Sequence, residues 1–398
     1  MRPALLFLAL LLPQQSTASQ TVPATSPAVL FTGRTLRDDA AGTVSFDWLS
    51  VQAIFSVTGA TNVSATLRST FWATPPAHAA DAEPRSGGAH DVARALQQTT
   101  FPKFGVYRVY VNGVRTEAGE GGVVVNAGEA EYALASGLDP AQTYNVSLWY
   151  TTDAVFNSWP DLDLGVGCMQ TVVALSTDGA FAPPPPRRAR AMLIVGDSIT
   201  SGNAMYLPCT NATKCDASQS YAGLLCEAFS LNCTQLTASS KGLVHNCCDK
   251  LPVTVPVLAN RTFAQDNATA TAWDWARTPF DAVLLHIGTN DGRQSTPDVF
   301  AAAYLSLMRN AVRESPPGTP IFCAFGPNSD TMQPWVEAAM AAGAAEGLHS
   351  TLLDFMAAPL DGCGHPGVKG HPAMARIAAP VIAAVTGWPY SEAHFPPA

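Results

Sequence analysis

Between residues 28 and 178 the apolar positions recur at every second residue. "VSFDWLSVQAIFSVTG", "NVSATLRS" and "YNVSLWYTT" all show it, and that is the period of a strand with one buried face. "YRVYVNGVR", 107–115, is two such pieces flanking Asn112-Gly113, the strongest short hairpin signal. No convincing helix interrupts the run, so this half predicts an antiparallel β-sandwich. The stretch 73–97, "ATPPAHAADAEPRSGGAHDVARALQ", loses the alternation and reads as an inserted loop.

Past residue 190 the rhythm changes. "AMLIV", "DAVLLHIG", "PIFCAFG" and "STLLDF" are short continuous apolar runs, the pattern of strands buried on both faces. Between and after them lie helical patterns: "SYAGLLCEAF", "PDVFAAAYLSLMRNAVRE", "PWVEAAMAAGAAEG" and "HPAMARIAAPVIAAV". Alternating strands and helices predict an α/β/α domain around a parallel sheet. "APPPPRRAR" separates the two halves; consecutive prolines form a stiff extended connector. The expected organisation is a sandwich over 20–181, a linker over 182–190 and an α/β domain over 191–390.

Residues 1–19 read as a secretory signal peptide. Arg2 provides the positive start, "ALLFLALLL" the apolar stretch and Thr17-Ala18-Ser19 a small-residue cleavage site. Nine apolar residues are about half a membrane span, and no later run is long enough, so the mature chain is expected to be soluble, monomeric and off the membrane. Six Asn-x-Ser/Thr sequons, at Asn62, Asn145, Asn211, Asn232, Asn260 and Asn267, agree with export as a glycoprotein. Of nine cysteines, six fall between Cys209 and Cys248. They lack zinc-site spacing, so no metal or other cofactor is expected. Mostly disulfides are expected, pinning a long loop, with one cysteine left over.

Composition narrows the function further. Hydrophobic residues make up 47% of the 398 and charged ones 13%, enough apolar material for two cores. The net charge of −9 and the lack of a basic patch argue against nucleic acid as a partner.

Three separated stretches end on groups able to do chemistry. Ser198 follows the strand "MLIV" in "GDSIT"; Asn290 lies in "LLHIGTND"; His365 lies in "DGCGHPGVKGHPAMA" just before the last helix. In a parallel sheet the site lies beyond the carboxyl ends of the strands, where Ser198 falls. A serine hydroxyl needs a base to take its proton, usually histidine. A tetrahedral oxyanion then needs fixed donors, which the Asn290 carboxamide and nearby backbone N–H groups can supply.

"GDSIT", "GTND" and "HPxxxGH" in this order resemble the conserved blocks of the SGNH (GDSL-type) hydrolases. The resemblance makes Ser198 the nucleophile, His365 the base and Asn290 an oxyanion donor. Between the blocks, "TASSKGLVHN" is where the family's oxyanion glycine should fall. Ser240 stands in that place, able to donate its N–H unless the backbone demands a positive φ; Gly242 is the second candidate. The family commonly has an aspartate three residues before the catalytic histidine. Here that position is Gly362, and Asp361 lies one residue earlier. Asp361 or a backbone carbonyl is expected to orient the imidazole.

The first half narrows the resemblance. Gly33-Arg34 and Phe46-Asp47-Trp48 are similar to the start of the jelly-roll domain that precedes the SGNH domain in carbohydrate esterase family two. That implies an esterase removing O-acetyl groups from polysaccharides such as xylan and glucomannan, through an acyl-enzyme. Two other readings are a carbohydrate-binding or matrix protein with a weakened site, and an esterase of lipids or aryl esters. Among the remaining residues, Asp197 reads as a helix cap, His286 as core, and His371 as a cap or packed histidine. Trp48 reads as sandwich core, Trp273, Trp275, Trp335 and Trp388 as packing anchors before cleft residues, and Gly33-Arg34 as an interdomain or fold-defining pair.

Overall fold

The computed structural model describes residues 19–71, 104–116, 122–153, 168–206, 215–247, 253–264 and 272–396. The expected signal peptide (all but Ser19), the insert at 73–97, the sequons at Asn211 and Asn267, and Cys209 and Cys248 lie outside them.

Before the linker the chain forms strands β1 (Gln20–Pro23), β2 (Val29–Thr32), β3 (Leu36–Asp38), β4 (Thr43–Phe46), β5 (Gln52–Thr58) and β6 (Asn62–Phe71). They are followed by β7 (Phe104–Val111), β8 (Val114–Arg115), β9 (Val123–Asn126), β10 (Gly128–Ser136), β11 (Thr143–Tyr150), β12 (Cys168–Thr177) and β13 (Ala180–Ala182). All pair antiparallel, in two sheets. One has the order β10-β6-β12-β4-β3 with β1 on β12; the other runs β13-β5-β11-β7-β8 with β2 on β5 and β9 on β7. Asn112 and Gly113 both have positive φ, 50° and 78°, and close the β7–β8 hairpin with Val111 opposite Val114, the turn their sequence predicts. Phe46, Phe55, Leu67, Tyr107, Val146 and Tyr150 meet in the core between the sheets.

The second part opens with β14 (Arg190–Gly196), α1 (Ser198–Ser201), α2 (Tyr221–Ala228), β15 (Leu231–Thr237) and α3 (Val255–Leu258). It continues with β16 (Ala282–His286), α4 (Pro297–Val312), β17 (Ile321–Phe325), α5 (Gln333–Ala345), β18 (Ser350–Asp354) and α6 (Gly370–Thr386). The five strands are parallel in the order β15-β14-β16-β17-β18. The strand period of two splits β14 between two cores: Leu193 and Val195 face α4 and α5, Met192 and Ile194 face α2 and α6. Strand β15, "LNCTQLT", escapes the sequence reading because polar residues break its apolar run. Cys226 and Cys233 form a disulfide between α2 and this strand. Among the described residues Cys215 and Cys323 are free and buried, so more than the one expected thiol stands outside disulfides. Among the described residues no helix is long and apolar enough to cross a membrane.

Of the four described sequon asparagines, Asn62, Asn145 and Asn260 are exposed. The fourth, Asn232, is half-buried and donates its amide N–H to the Arg188 carbonyl at 2.5 Å.

Short motifs of the first half turn out to join the two parts. Trp48, expected in the sandwich core, is buried among Leu193, Val195 and Leu236 of the α/β part. The Asp47 carboxylate accepts from the Ala264 N–H at 2.9 Å. Arg34, almost fully buried, donates to the carbonyls of Ala259 (2.5 Å) and Arg261 (2.8 Å), with Trp273 and Trp275 at 4.7 and 4.8 Å from its guanidinium carbon. Burial lowers its pKa to about 9, and the aromatic faces partly replace the lost water. Gly33-Arg34 therefore has the interdomain role, and Trp273 and Trp275 are packing anchors. Trp335 and Trp388 also pack against the two α/β cores.

Candidate active site

At the carboxyl end of β14 the chain turns sharply into α1. A Cβ on Gly196 would stand 2.2 Å from Thr200 Oγ1, so only glycine fits the turn. Asp197 caps α1, accepting from the Ile199 N–H at 3.0 Å, as expected. It is fully buried, and burial, reinforced by Asp291 and Asp153 nearby, raises its pKa to about 7. Ser198 is left as the first residue of the turn.

His365 comes from the loop before α6, and its Nε2 lies 2.8 Å from Ser198 Oγ. Its Nδ1 is 3.2 Å from the Cys363 carbonyl. A carbonyl only accepts, so Nδ1 carries the proton and Nε2 is left to accept from the serine hydroxyl. Burial lowers the His365 pKa, which favours the neutral ring that can accept a proton.

Asp361 does not orient this ring. Its carboxylate accepts from the backbone N–H groups of Gly367 (2.6 Å), Lys369 (2.8 Å) and Gly370 (2.9 Å), gathering the loop at the start of α6. The Cys363 carbonyl fills the orienting position. The reason is geometric: from position 361 the side chain meets the helix start and misses the imidazole.

Asn290 lies beyond the end of β16. One of its amide hydrogens goes to the Lys241 carbonyl at 2.8 Å, which aims the carboxamide and leaves its second N–H for a ligand. Asp291, which the sequence reading passed over, fixes the loop opposite: it accepts from the N–H groups of Leu243 (2.8 Å), Val244 (2.6 Å) and His245 (2.9 Å). Its position beside Asn290 in "GTND" was the available signal. Gly242 is not free to serve as an oxyanion donor. Its N–H goes to Asn246 Oδ1 at 3.0 Å, and a Cβ there would lie 1.9 Å from the His245 carbonyl. It is a packing glycine.

Ser240 sits at φ 66°. The backbone does demand a positive φ, and a serine meets it. Its N–H has no acceptor among the described residues. A left-handed residue with a Cβ stores about 1–2 kcal/mol. Ser240→Gly should release that strain, less the roughly 0.4–1 kcal/mol that glycine's freer unfolded chain costs. A small rise in the thermal midpoint with activity retained is the expected result; a fall would show that the serine side chain stabilises the loop.

His286 and His371, both buried, stand apart from this constellation. His286 bridges the Tyr221 hydroxyl (2.9 Å) and the Gly326 carbonyl (2.7 Å), and burial lowers its pKa to about 4. His371 stacks on Tyr221 and accepts from that residue's N–H at 3.2 Å. Both are structural.

No family model matches the chain. Over 223 residues it is 26% identical to the acetylxylan esterase / glucomannan deacetylase of Cellvibrio japonicus; the alignment takes in 53% of this chain and 62% of that protein, so this chain spans less than two thirds of its relative's length. Among solved structures, a family two carbohydrate esterase from Cellvibrio japonicus superposes with a TM-score of 0.71 at 17% identity, covering 93% of this chain and 99% of that one. A family two carbohydrate esterase from Clostridium thermocellum, in complex with cellohexaose, gives 0.70 at 20% identity over 90% and 99%. An acetyl xylan esterase from Butyrivibrio proteoclasticus gives 0.72 at 14% identity over 93% and 99%. The chain therefore has the two-domain fold of the family two carbohydrate esterases and resembles that family within the SGNH hydrolases.

Proposed function

We propose that this chain is a secreted serine esterase that removes O-acetyl groups from polysaccharides of the xylan or glucomannan type, with glycans on its exposed sequons. The observation that carries the reading is the 2.8 Å contact between Ser198 Oγ and His365 Nε2. Likeness to an acetylxylan esterase / glucomannan deacetylase supports the substrate class.

In the proposed mechanism His365 takes the Ser198 proton as the oxygen attacks the ester carbonyl. The oxyanion is held by the Asn290 carboxamide and the Ser240 N–H. Imidazolium then protonates the departing sugar oxygen as its bond to the acyl carbon breaks, leaving an acetyl-serine that water hydrolyses by the same route in reverse order. The Cys363 carbonyl holds the tautomer throughout. The test is acetate release from a panel of acetylated xylans and glucomannans, with Ser198→Ala as control. No release from any of them, alongside rapid cleavage of long-chain acyl esters, would replace the carbohydrate by a lipid substrate.

The active form has a neutral His365. Burial disfavours the cation, so deprotonation is complete at lower pH than for a free imidazole. On the acid side kcat/KM should rise with pH to a midpoint below the usual 6.5 and then level off. A midpoint above 6.5 would require a nearby negative charge acting on the ring, and would restore Asp361 as its partner.

A further inference from the structure

We propose that Asp153, carried by the sandwich, is a positioning residue for the oxyanion loop of the neighbouring α/β part. The inference rests on the esterase reading above.

Asp153 stands three residues beyond β11 and is fully buried, as are Thr151 and Thr152 before it. These threonines lock the segment to β7: the Thr151 N–H and hydroxyl both donate to the Val106 carbonyl, at 2.9 and 3.1 Å, and the Val106 N–H donates to Thr152 Oγ1 at 2.7 Å. The carboxylate is thus held by a rigid sheet. One of its oxygens, Oδ2, accepts from both the Ser239 N–H (3.0 Å) and the Ser239 hydroxyl (2.8 Å). The Ser239 hydroxyl in turn accepts from Asn203 Nδ2 at 3.2 Å, and the Asn203 N–H donates to the Ser198 carbonyl at 3.0 Å.

The carboxylate holds the Ser239 loop directly and reaches the Ser198 turn through the Ser239 hydroxyl and Asn203. Ser239 immediately precedes Ser240, whose φ of 66° a serine keeps only where its surroundings impose it. Asn203 closes the turn that carries Ser198. Asp153 thus fixes the residue before the oxyanion donor and, through Ser239 and Asn203, is linked to the nucleophile's turn, from outside the part that holds them. This gives the sandwich a role in turnover separate from any glycan it touches.

The test uses the full chain and a chromogenic acetyl ester, with rates normalised to titrated active sites. Asp153→Ala should lower kcat about 10- to 100-fold, the scale of a misplaced oxyanion donor, with KM nearly unchanged. Asp153→Asn should recover much of the loss, because a carboxamide oxygen can still accept from Ser239. Ser239→Ala, which removes only the hydroxyl arm, should give a smaller loss of the same kind and carries the test if Asp153→Ala does not fold. Wild-type kcat in Ser239→Ala and in every folded Asp153 variant, with Ser198→Ala inactive, overturns the positioning role alone. Wild-type turnover by Ser198→Ala overturns the esterase reading instead.

Discussion

Ser198→Ala is expected to lower kcat on an acetyl ester by about 10⁶, the loss seen when a serine hydrolase is deprived of its nucleophile. The size follows from the surroundings. The hydroxyl is the group placed 2.8 Å from His365 Nε2, and the adjacent hydroxyls cannot replace it. Thr200 Oγ1 is engaged with the Tyr221 hydroxyl at 3.0 Å, and Ser201 Oγ donates to the Ser198 carbonyl at 2.9 Å; both residues are fully buried. The residual rate should come from the oxyanion donors acting on water, about 10³–10⁴ above the uncatalysed reaction. Stability should change by only about 1 kcal/mol, the worth of one hydrogen bond, so the defect is separable from unfolding. Measured turnover within tenfold of wild type would remove Ser198 from the chemistry.

Asp216→Ala is expected to have the largest effect on stability, about 3–5 kcal/mol, the cost of leaving a buried ion pair with one member. The carboxylate is fully buried and joins the two parts of the molecule. Arg108 of β7, itself almost completely buried, pairs with it at 3.0 Å, and Arg115 of β8 at 3.2 Å. From its own side Tyr206 donates at 2.9 Å, the Ser218 N–H at 3.1 Å and the Ser218 hydroxyl at 2.5 Å. Removing the acid takes the opposite charge from a buried guanidinium and frees three further donors. Native domains hold only about 5–15 kcal/mol in all, so a large share of the margin would go. Asp216→Asn keeps the shape and loses the charge, and should fall between. The measurement is the urea midpoint of each variant. An unchanged midpoint for Asp216→Ala would mean that the two parts fold without this contact.

The Ser198 loop shows why local pattern carried so much of the candidate site. "MLIV" followed by Gly-Asp-Ser states a buried strand, a turn only glycine fits, a cap and a hydroxyl, all within seven residues, where the chain's own geometry sets the outcome. Asn290 in "GTND" and His365 before α6 were equally plain, because each follows or precedes an element with a clear hydrophobic period. Strand β15 was not, since its apolar run is broken by Asn232, Thr234 and Gln235, although Thr234 and Gln235 are buried.

The errors share one cause. Spacing in the chain offers Asp361 beside a backbone carbonyl, and Gly242 after Ser240, but a hydrogen bond is decided by direction, and Asp361 faces the α6 backbone while the Cys363 carbonyl meets the imidazole. Trp48 was placed in the sandwich because its neighbours in sequence are there, while its ring points across the boundary into the other core.

By itself the amino-acid order determined the two fold classes, their sequence along the chain, and the candidacy of Ser198, Asn290 and His365, because period and turn chemistry act over a few residues. Only the tertiary structure decided that Cys363 orients the imidazole, that Ser240 is held left-handed, and that Asp47, Arg108 and Asp153 reach from one part into the other. Those contacts join residues that the chain separates by up to about two hundred positions, and no local preference encodes which of them meet. They are set by the packing of one rigid sheet system against another.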